Sequence, residues 1–189
     1  MLRIIVPGRP EMEAWDEQHE RFVILPEVKE QTLQLEHSLI SLWKWESKWH
    51  KAYHGKREKT TEETIDYIRC MTITPNVSPE VYDNLTEENF KTIYDYIMAP
   101  MTATYFPEEK NGTINRETVT ADLIYYWMIT LNIPFEPCEK WHLNRLIALI
   151  RVCCMKNSSG NKKKGVSSES LAARKRLNAE RRARAKSKG

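Results

Sequence analysis

His50 and His54 stand four residues apart, the spacing at which one helical face can grip a metal ion. A zinc protease places a glutamate directly after the first of these histidines, and Lys51 occupies that position here. No third ligand follows from spacing, so the pair is expected as solvated surface histidines. Glu139 and His142 have the i, i+3 arrangement of di-iron bundles, but those need a second copy and two further carboxylates. The single copy predicts a first-turn acid, favoured by the helix dipole, and a partly buried histidine. Cys70, Cys138, Cys153 and Cys154 form no CxxC, and the adjacent pair cannot readily bridge to itself, which predicts free, mostly buried thiols. The sequence contains neither GxxxxGK(S/T) nor GxSxG, and no nucleophile with an oriented base can be nominated. The chemistry-bearing residues therefore predict no enzyme, no metal site and no cofactor, and the weight passes to binding.

Two features suit binding. Trp43, Trp45 and Trp49 fall within seven residues, and strand spacing would set all three on one face, as either a packed corner or a contact surface. The second feature is a division of charge beneath a formal net charge of +3. Residues 156–189 hold twelve Lys/Arg against Glu169 and Glu180, leaving seventeen basic and twenty-four acidic residues before them. An acidic body is thus followed by a basic arm. Val166, Leu171 and Leu177 are the arm's sizeable apolar residues, too little apolar area to offset the entropy of ordering it. A linker at Asn157 to Gly165 and a marginal helix capped by Ser168 and running over Glu169 to about Lys186 are expected, the helix firming up on an acidic surface. Candidate partner-contact residues are the three tryptophans together with Arg174, Lys175, Arg176, Arg181, Arg182 and Arg184.

The elements that must position these residues read as α+β with helices dominant. Leu2 to Val6 and Arg21 to Leu25 are β-prone runs stopped by Pro7 and Pro26, and they are expected to pair as an antiparallel ribbon around a polar, Trp15-bearing segment. Gln31 to Glu46 fits both periodicities and is assigned to extended structure. Helical character is expected after Gly55 to Lys59. Thr60 with Glu63 makes a capping box before Ile65, Ile68 and Met71. Ser78-Pro79-Glu80 opens a short turn, and Thr86 starts a helix with Phe90, Ile93, Tyr94 and Ile97 in one stripe. Met101 to Asn115 reads as a mobile loop. A central helix is predicted from Arg116 to Leu131, and a last one from Pro137 to Cys154, packed together as an antiparallel hairpin with Trp127 and Trp141 in the core. The expected organisation is a β-containing segment over 1–55, a helical part of the same body over 56–155 and the basic arm over 156–189.

With 189 residues, 41% hydrophobic and 29% charged, the chain suits one ordinary domain with some extra length and excludes a large multidomain enzyme. No apolar run reaches the roughly 18 residues of a membrane span. The N-terminal sequence MLRIIVPGRPEMEAWDE does not read as a signal peptide, which predicts a cytoplasmic protein.

The strings QLEHSLISLWKWESK (Gln34 to Lys48), TEETIDYIRCMTIT (Thr61 to Thr74), MAPMTATYF (Met98 to Phe106), ETVTADLIYYWMITLNIPFEPCEKWHLNRLIALIRV (Glu117 to Val152) and the closing LAARKRLNAERRARAKSKG resemble the tail assembly chaperones of long-tailed bacteriophages. The resemblance covers most of the chain. It implies a non-catalytic protein of the host cell cytoplasm that binds the tape measure protein, keeps it soluble and helps recruit tail tube subunits. It also implies that a frameshifted longer form can exist. Two rival readings are a structural virion protein, such as a tail or connector component, and a nucleic-acid-binding protein acting through the arm. The latter lacks aromatic interleaving, and the acidic body would repel the polymer. The sequence does not set the oligomeric state.

Overall fold

A computed structural model describes residues 1–17, 19–106, 118–160 and 174–178. The fold is α+β and helix-dominated, with four short strands preceding the helices. The chain divides into two units, Met1–Arg151 and Val152–Gly189.

The strands are β1 (Leu2–Val6), β2 (Met12–Asp16), β3 (Arg21–Leu25) and β4 (Gln31–Leu35). The expected pairing of Leu2 to Val6 with Arg21 to Leu25 is corrected: β1 pairs with β4, and β2 pairs with β3, both antiparallel. The supposed polar connection is itself a strand. One register runs through both sheets, from Leu2↔Leu35 through the isolated bridge Arg9↔Val28 to Trp15↔Phe22. They are two halves of one long hairpin, interrupted where Pro7, Pro10 and Pro26 lack the N–H a ladder requires. Gly8 lies at the crossing, where a Cβ would come within 2.9 Å of the Val28 carbonyl oxygen and 3.0 Å of the Glu30 nitrogen. The inner half is core: Ile4, Val6, Leu33 and Leu35 are buried. Its β1 edge is covered, since the Asn89 and Asn84 side-chain amides donate to the Ile5 and Pro7 carbonyls at 3.1 and 2.8 Å.

After β4 the chain turns into α1 (Leu39–Trp49), not into the extended structure expected over Gln31 to Glu46. Alternation ends at Leu35. Ser38 then caps α1 in a capping box with Ser41, accepting from its N–H while the Ser41 hydroxyl receives the Ser38 N–H. Helical spacing puts Leu39, Leu42 and Trp45 on the buried side, and that stripe outweighs the short alternation. The helical part therefore begins well before residue 56. α1 packs on α2 (Thr61–Met71), which carries the capping box expected of Thr60 and Glu63.

α3 (Pro79–Tyr82) starts at the expected proline, without a side-chain cap from Ser78. α4 (Glu87–Met98) is capped by Thr86 and lies on β1. Ile93 is buried and Phe90 and Ile97 pack on the core, whereas Tyr94, expected in the same stripe, points to solvent. Met101 to Phe106 is irregular; the remainder of the expected loop, to Asn115, lies outside the described residues.

α5 (Ala121–Thr130) begins five residues later than expected, because Thr120 accepts from the Leu123 N–H and the Glu46 carboxylate accepts from the Ala121 N–H at 2.7 Å. It is not a central helix. Ala121, Ile124 and Met128 are buried, whereas Tyr126 and Ile129 are exposed. Its packing partner is α1. The predicted hairpin with the last helix does not form, because Pro137 belongs to the short α6 (Phe135–Cys138) and α7 (Leu143–Gly160) starts only after a break. That break is pinned by a bridge between Ser38 and His142 and by the Leu143 N–H donating to the His37 carbonyl at 2.6 Å. Trp127 and Trp141 are half-buried, the latter under the Arg145 guanidinium. Of the free cysteines Cys138 is buried, Cys70 and Cys153 are half-buried and Cys154 is exposed, so the thiols are less buried than expected.

In the second unit α7 runs on to Gly160, so the first residues of the linker expected at Asn157 to Gly165 are helical, and residues 174–178 are helical and exposed. The rest of the expected Glu169 to Lys186 helix, with its Ser168 cap, lies outside the described residues.

Ser38→Ala removes the cap of α1 and is expected to lower the unfolding free energy by about 1 kcal/mol, against about 3–5 kcal/mol for Trp45→Ala in the core. Urea unfolding checks both as lower midpoints with unchanged slope; an unmoved midpoint for Ser38→Ala would mean that α1 does not need this cap.

Candidate protein-binding surface

Three of the candidate groups, His50, Glu139 and His142, take part in local structure. His50 closes α1 as its C-cap with φ 51°, so the helical i, i+4 geometry needed for metal binding is lost before His54 is reached. Both histidines are exposed. No group of three potential ligands occurs among the described residues. Glu139 and His142 are separated by the turn between α6 and α7 rather than sharing a helical face. The Glu139 carboxylate accepts from the Tyr125 hydroxyl at 3.2 Å.

Sequence reasoning missed a buried polar cluster around His37 and His142. Their rings meet at 5.1 Å between centroids. His37 Nδ1 lies 2.6 Å from the Tyr67 hydroxyl. His142 Nε2 is 3.0 Å from the Tyr96 carbonyl oxygen, while its Nδ1 receives the Asn144 N–H at 3.2 Å. A carbonyl on one nitrogen and an N–H on the other suit the neutral tautomer with the proton on Nε2. Burial, and then the neighbouring His142, hold the His37 pKa down to about 3, and burial also lowers that of His142. Tyr96 is tied in turn to the Glu36 carboxylate at 2.6 Å. No signal of spacing marks this cluster, since its members come from the turn after β4, from α2, from α4 and from the turn before α7.

The three candidate tryptophans do not share a face. Trp45 is 2% exposed, donates its indole N–H to the Glu63 carbonyl at 2.9 Å and stacks on Trp49. It belongs to the core and cannot reach a partner. Trp49 is half-buried and donates to Asp66 at 2.8 Å. Trp43 alone is open, 48% exposed, beside a cleft of about 310 Å³ with Glu46, His50 and Asp122 on its walls. The seam between α1 and α2 is finished by ion pairs of Lys48 with Asp66 and of Lys51 and Arg57 with Glu63. The Lys51 hydrogen bond, followed by the Thr60 N–H and Arg57, holds the Glu63 pKa down to about 2. Arg174, Lys175 and Arg176 are exposed on the helical segment of the second unit; Arg181, Arg182 and Arg184 lie outside the described residues.

No family model, curated protein or solved structure gives a match to this chain. The site must be read from its own surface. Among the described residues no helix is long and apolar enough to cross a membrane.

A group of exposed apolar side chains lies on the outer half of the hairpin. Trp15 is 52%, Phe22 70% and Ile24 66% exposed. The pairs Trp15↔Phe22 and Glu13↔Ile24 place these three with Glu13 on one face, since residues directly opposite in an antiparallel pair share a side. The two rings meet edge to face at 5.0 Å. A cross-strand aromatic pair steadies the ribbon by up to about 1 kcal/mol, which accounts for Trp15 and Phe22 in part and leaves Ile24 unexplained. Sequence reading passed over this face because β2 reads as polar, with only Met12, Ala14 and Trp15 among acids.

The histidine cluster makes stability depend on pH. Folded His37 stays neutral to about pH 3, whereas the unfolded imidazole takes up a proton near 6.5. The unfolded state therefore binds more protons between these values. Stability is complete above about pH 6.5 and falls below it by up to about 1.4 kcal/mol per pH unit. The contribution of Glu63, present above pH 4.5, is lost as the pH drops towards about 2. Unfolding free energies at two pH values either side of the imidazole range should differ less in His37→Gln than in the parent; equal differences would remove His37 from this account.

Proposed function

We propose that this protein is a bacteriophage tail assembly chaperone: a non-catalytic protein of the host cytoplasm that binds the tape measure protein and assists the addition of tail tube subunits. The observation that carries the binding reading is the uncovered Trp15, Phe22 and Ile24 face, apolar area that neither half of the hairpin uses for its own core. Exposed aromatic and aliphatic side chains grouped on one face are the usual material of a protein-protein contact. The choice of client rests on the resemblance of the EHSL, LIYYWMI and EKWHLNRL strings to tail assembly chaperones. An acidic first unit and a basic arm add charge that steers association and lets salt loosen it.

Coexpression with the tape measure protein, affinity capture in moderate salt with nuclease present and protein blotting of purified particles test this reading. Soluble tape measure captured with this chain, and no copy of it in particles, is the expected result. Stoichiometric presence in particles would instead make it a structural tail component, and loss of the captured material to nuclease would make it a nucleic-acid binder. Replacing Arg174, Lys175, Arg176, Arg181, Arg182 and Arg184 with Glu should weaken capture, most visibly at low salt, without moving the melting temperature of the body. Undiminished capture by that variant would exclude the arm from the contact.

A further inference from the structure

The geometry points to the Trp15, Phe22 and Ile24 face of the β2–β3 ribbon as the seat of a basic amphipathic helix of a partner protein, with apolar residues along one side and Lys or Arg on its flanks. This deepens the reading of the chain as a holder of another protein and rests on it.

Three observations select that occupant. The apolar strip is formed by two successive cross-strand pairs, a width that one helix of about 10–12 Å diameter covers side-on. The residues of β2 beside it are acidic. Glu13 shares the face, exposed Glu11 and Glu17 flank β2 at its two ends, and Arg21, the single basic residue in either strand, alternates to the opposite side. A second copy seated on this face would bring two Glu13 carboxylates together across a low-dielectric contact, and nucleic acid would meet the same negative field. A helix with basic flanks matches both the apolar strip and its rim.

The ribbon is also free to receive it. β2 and β3 pack on each other, and neither makes comparable packing with another element among the described residues. On the other side Ala14, Val23 and Leu25 are half-buried while Met12 and Arg21 are exposed, so the larger exposed apolar area lies on the Trp15 side. An occupant on the Trp15 side covers apolar area that water now wets, at no cost to existing packing.

The test uses the full chain and two fluorescently labelled synthetic helices of about five turns, identical on their apolar face and carrying either Lys/Arg or Glu on their flanks. Fluorescence anisotropy should show the basic helix binding at least about tenfold more tightly than the acidic one at roughly 0.15 M salt. Phe22→Ser with Ile24→Ser should weaken the basic helix by about tenfold or more. The triple variant Glu11→Lys, Glu13→Lys and Glu17→Lys keeps the apolar face and should reverse the preference, so the proposal does not depend on the serine variant folding. Failure of the basic helix to bind, equal binding of both helices, or unchanged preference in the lysine variant overturns the proposal. Capture of tape measure protein separates the two levels. If the parent chain and the serine variant capture it equally, the ribbon is not the seat and the chaperone reading stands; if neither captures it while the peptides discriminate, the surface stands and the chaperone reading falls.

Discussion

Three consecutive residues between β4 and α1 hold the first unit together. Glu36 donates its N–H to the Met71 carbonyl at the end of α2 and accepts from the Tyr96 hydroxyl on α4. His37 meets Tyr67 of α2 and the His142 ring, and its carbonyl receives the first N–H of α7. Ser38 caps α1. The Glu36 N–H and carboxylate, the His37 Nδ1 and carbonyl and the Ser38 N–H and hydroxyl each find a partner on one of the helices, as burial away from water demands. Because those partners are fixed donors and acceptors, the turn sets where four helices begin, end or cross. The chain needs both imidazoles neutral to do so, and the hydrophobic burial of β1, β4 and the helices is arranged around a polar knot.

A second constraint concerns charge. Glu63 and Asp66 are almost wholly buried on α2, and each is matched by basic side chains and an indole or backbone N–H reaching from the α1 side or from the preceding turn. Uncompensated carboxylates there would be costly. Trp45 and Trp49 are absorbed into this seam, and that explains why the densest aromatic stretch in the sequence contributes so little to the surface. The aromatic side chains left uncovered on the outer ribbon are those flanked by glutamates, a combination that keeps an apolar face soluble until it is occupied.

Local signals were readable and distant ones were not. The capping pair Thr60 and Glu63, Pro79 in a first turn and the Ile93 stripe each lie within a few residues, and each element stands where that chemistry places it. The β-prone runs at Leu2 and Arg21 were also legible, but their partners were not, because register is decided by a pairing that spans more than thirty residues at the hairpin's base. The switch at Ser38 was hidden by a serine in place of the usual glutamate at the third position of its capping box. The start of α7 was hidden because what interrupts the helix, the bond to His37, comes from a segment a hundred residues earlier. The candidate surface was obscured for a related reason: Trp15 looked polar by its neighbours, and only pairing with β3 reveals that Phe22 and Ile24 share its side.

The proline interruptions give the hairpin two halves with different obligations. Its inner pairs are locked by core residues such as Val6 and Leu33, whereas the outer pairs carry side chains that the body does not require. A substitution at Ile4 must be accommodated by the whole interior, but one at Ile24 is felt only by whatever lies against the ribbon. Over evolutionary time the outer half can therefore change its recognition chemistry quickly while the inner half keeps the same fold, so that descendants of this chain would diverge first, and most freely, at their second and third strands.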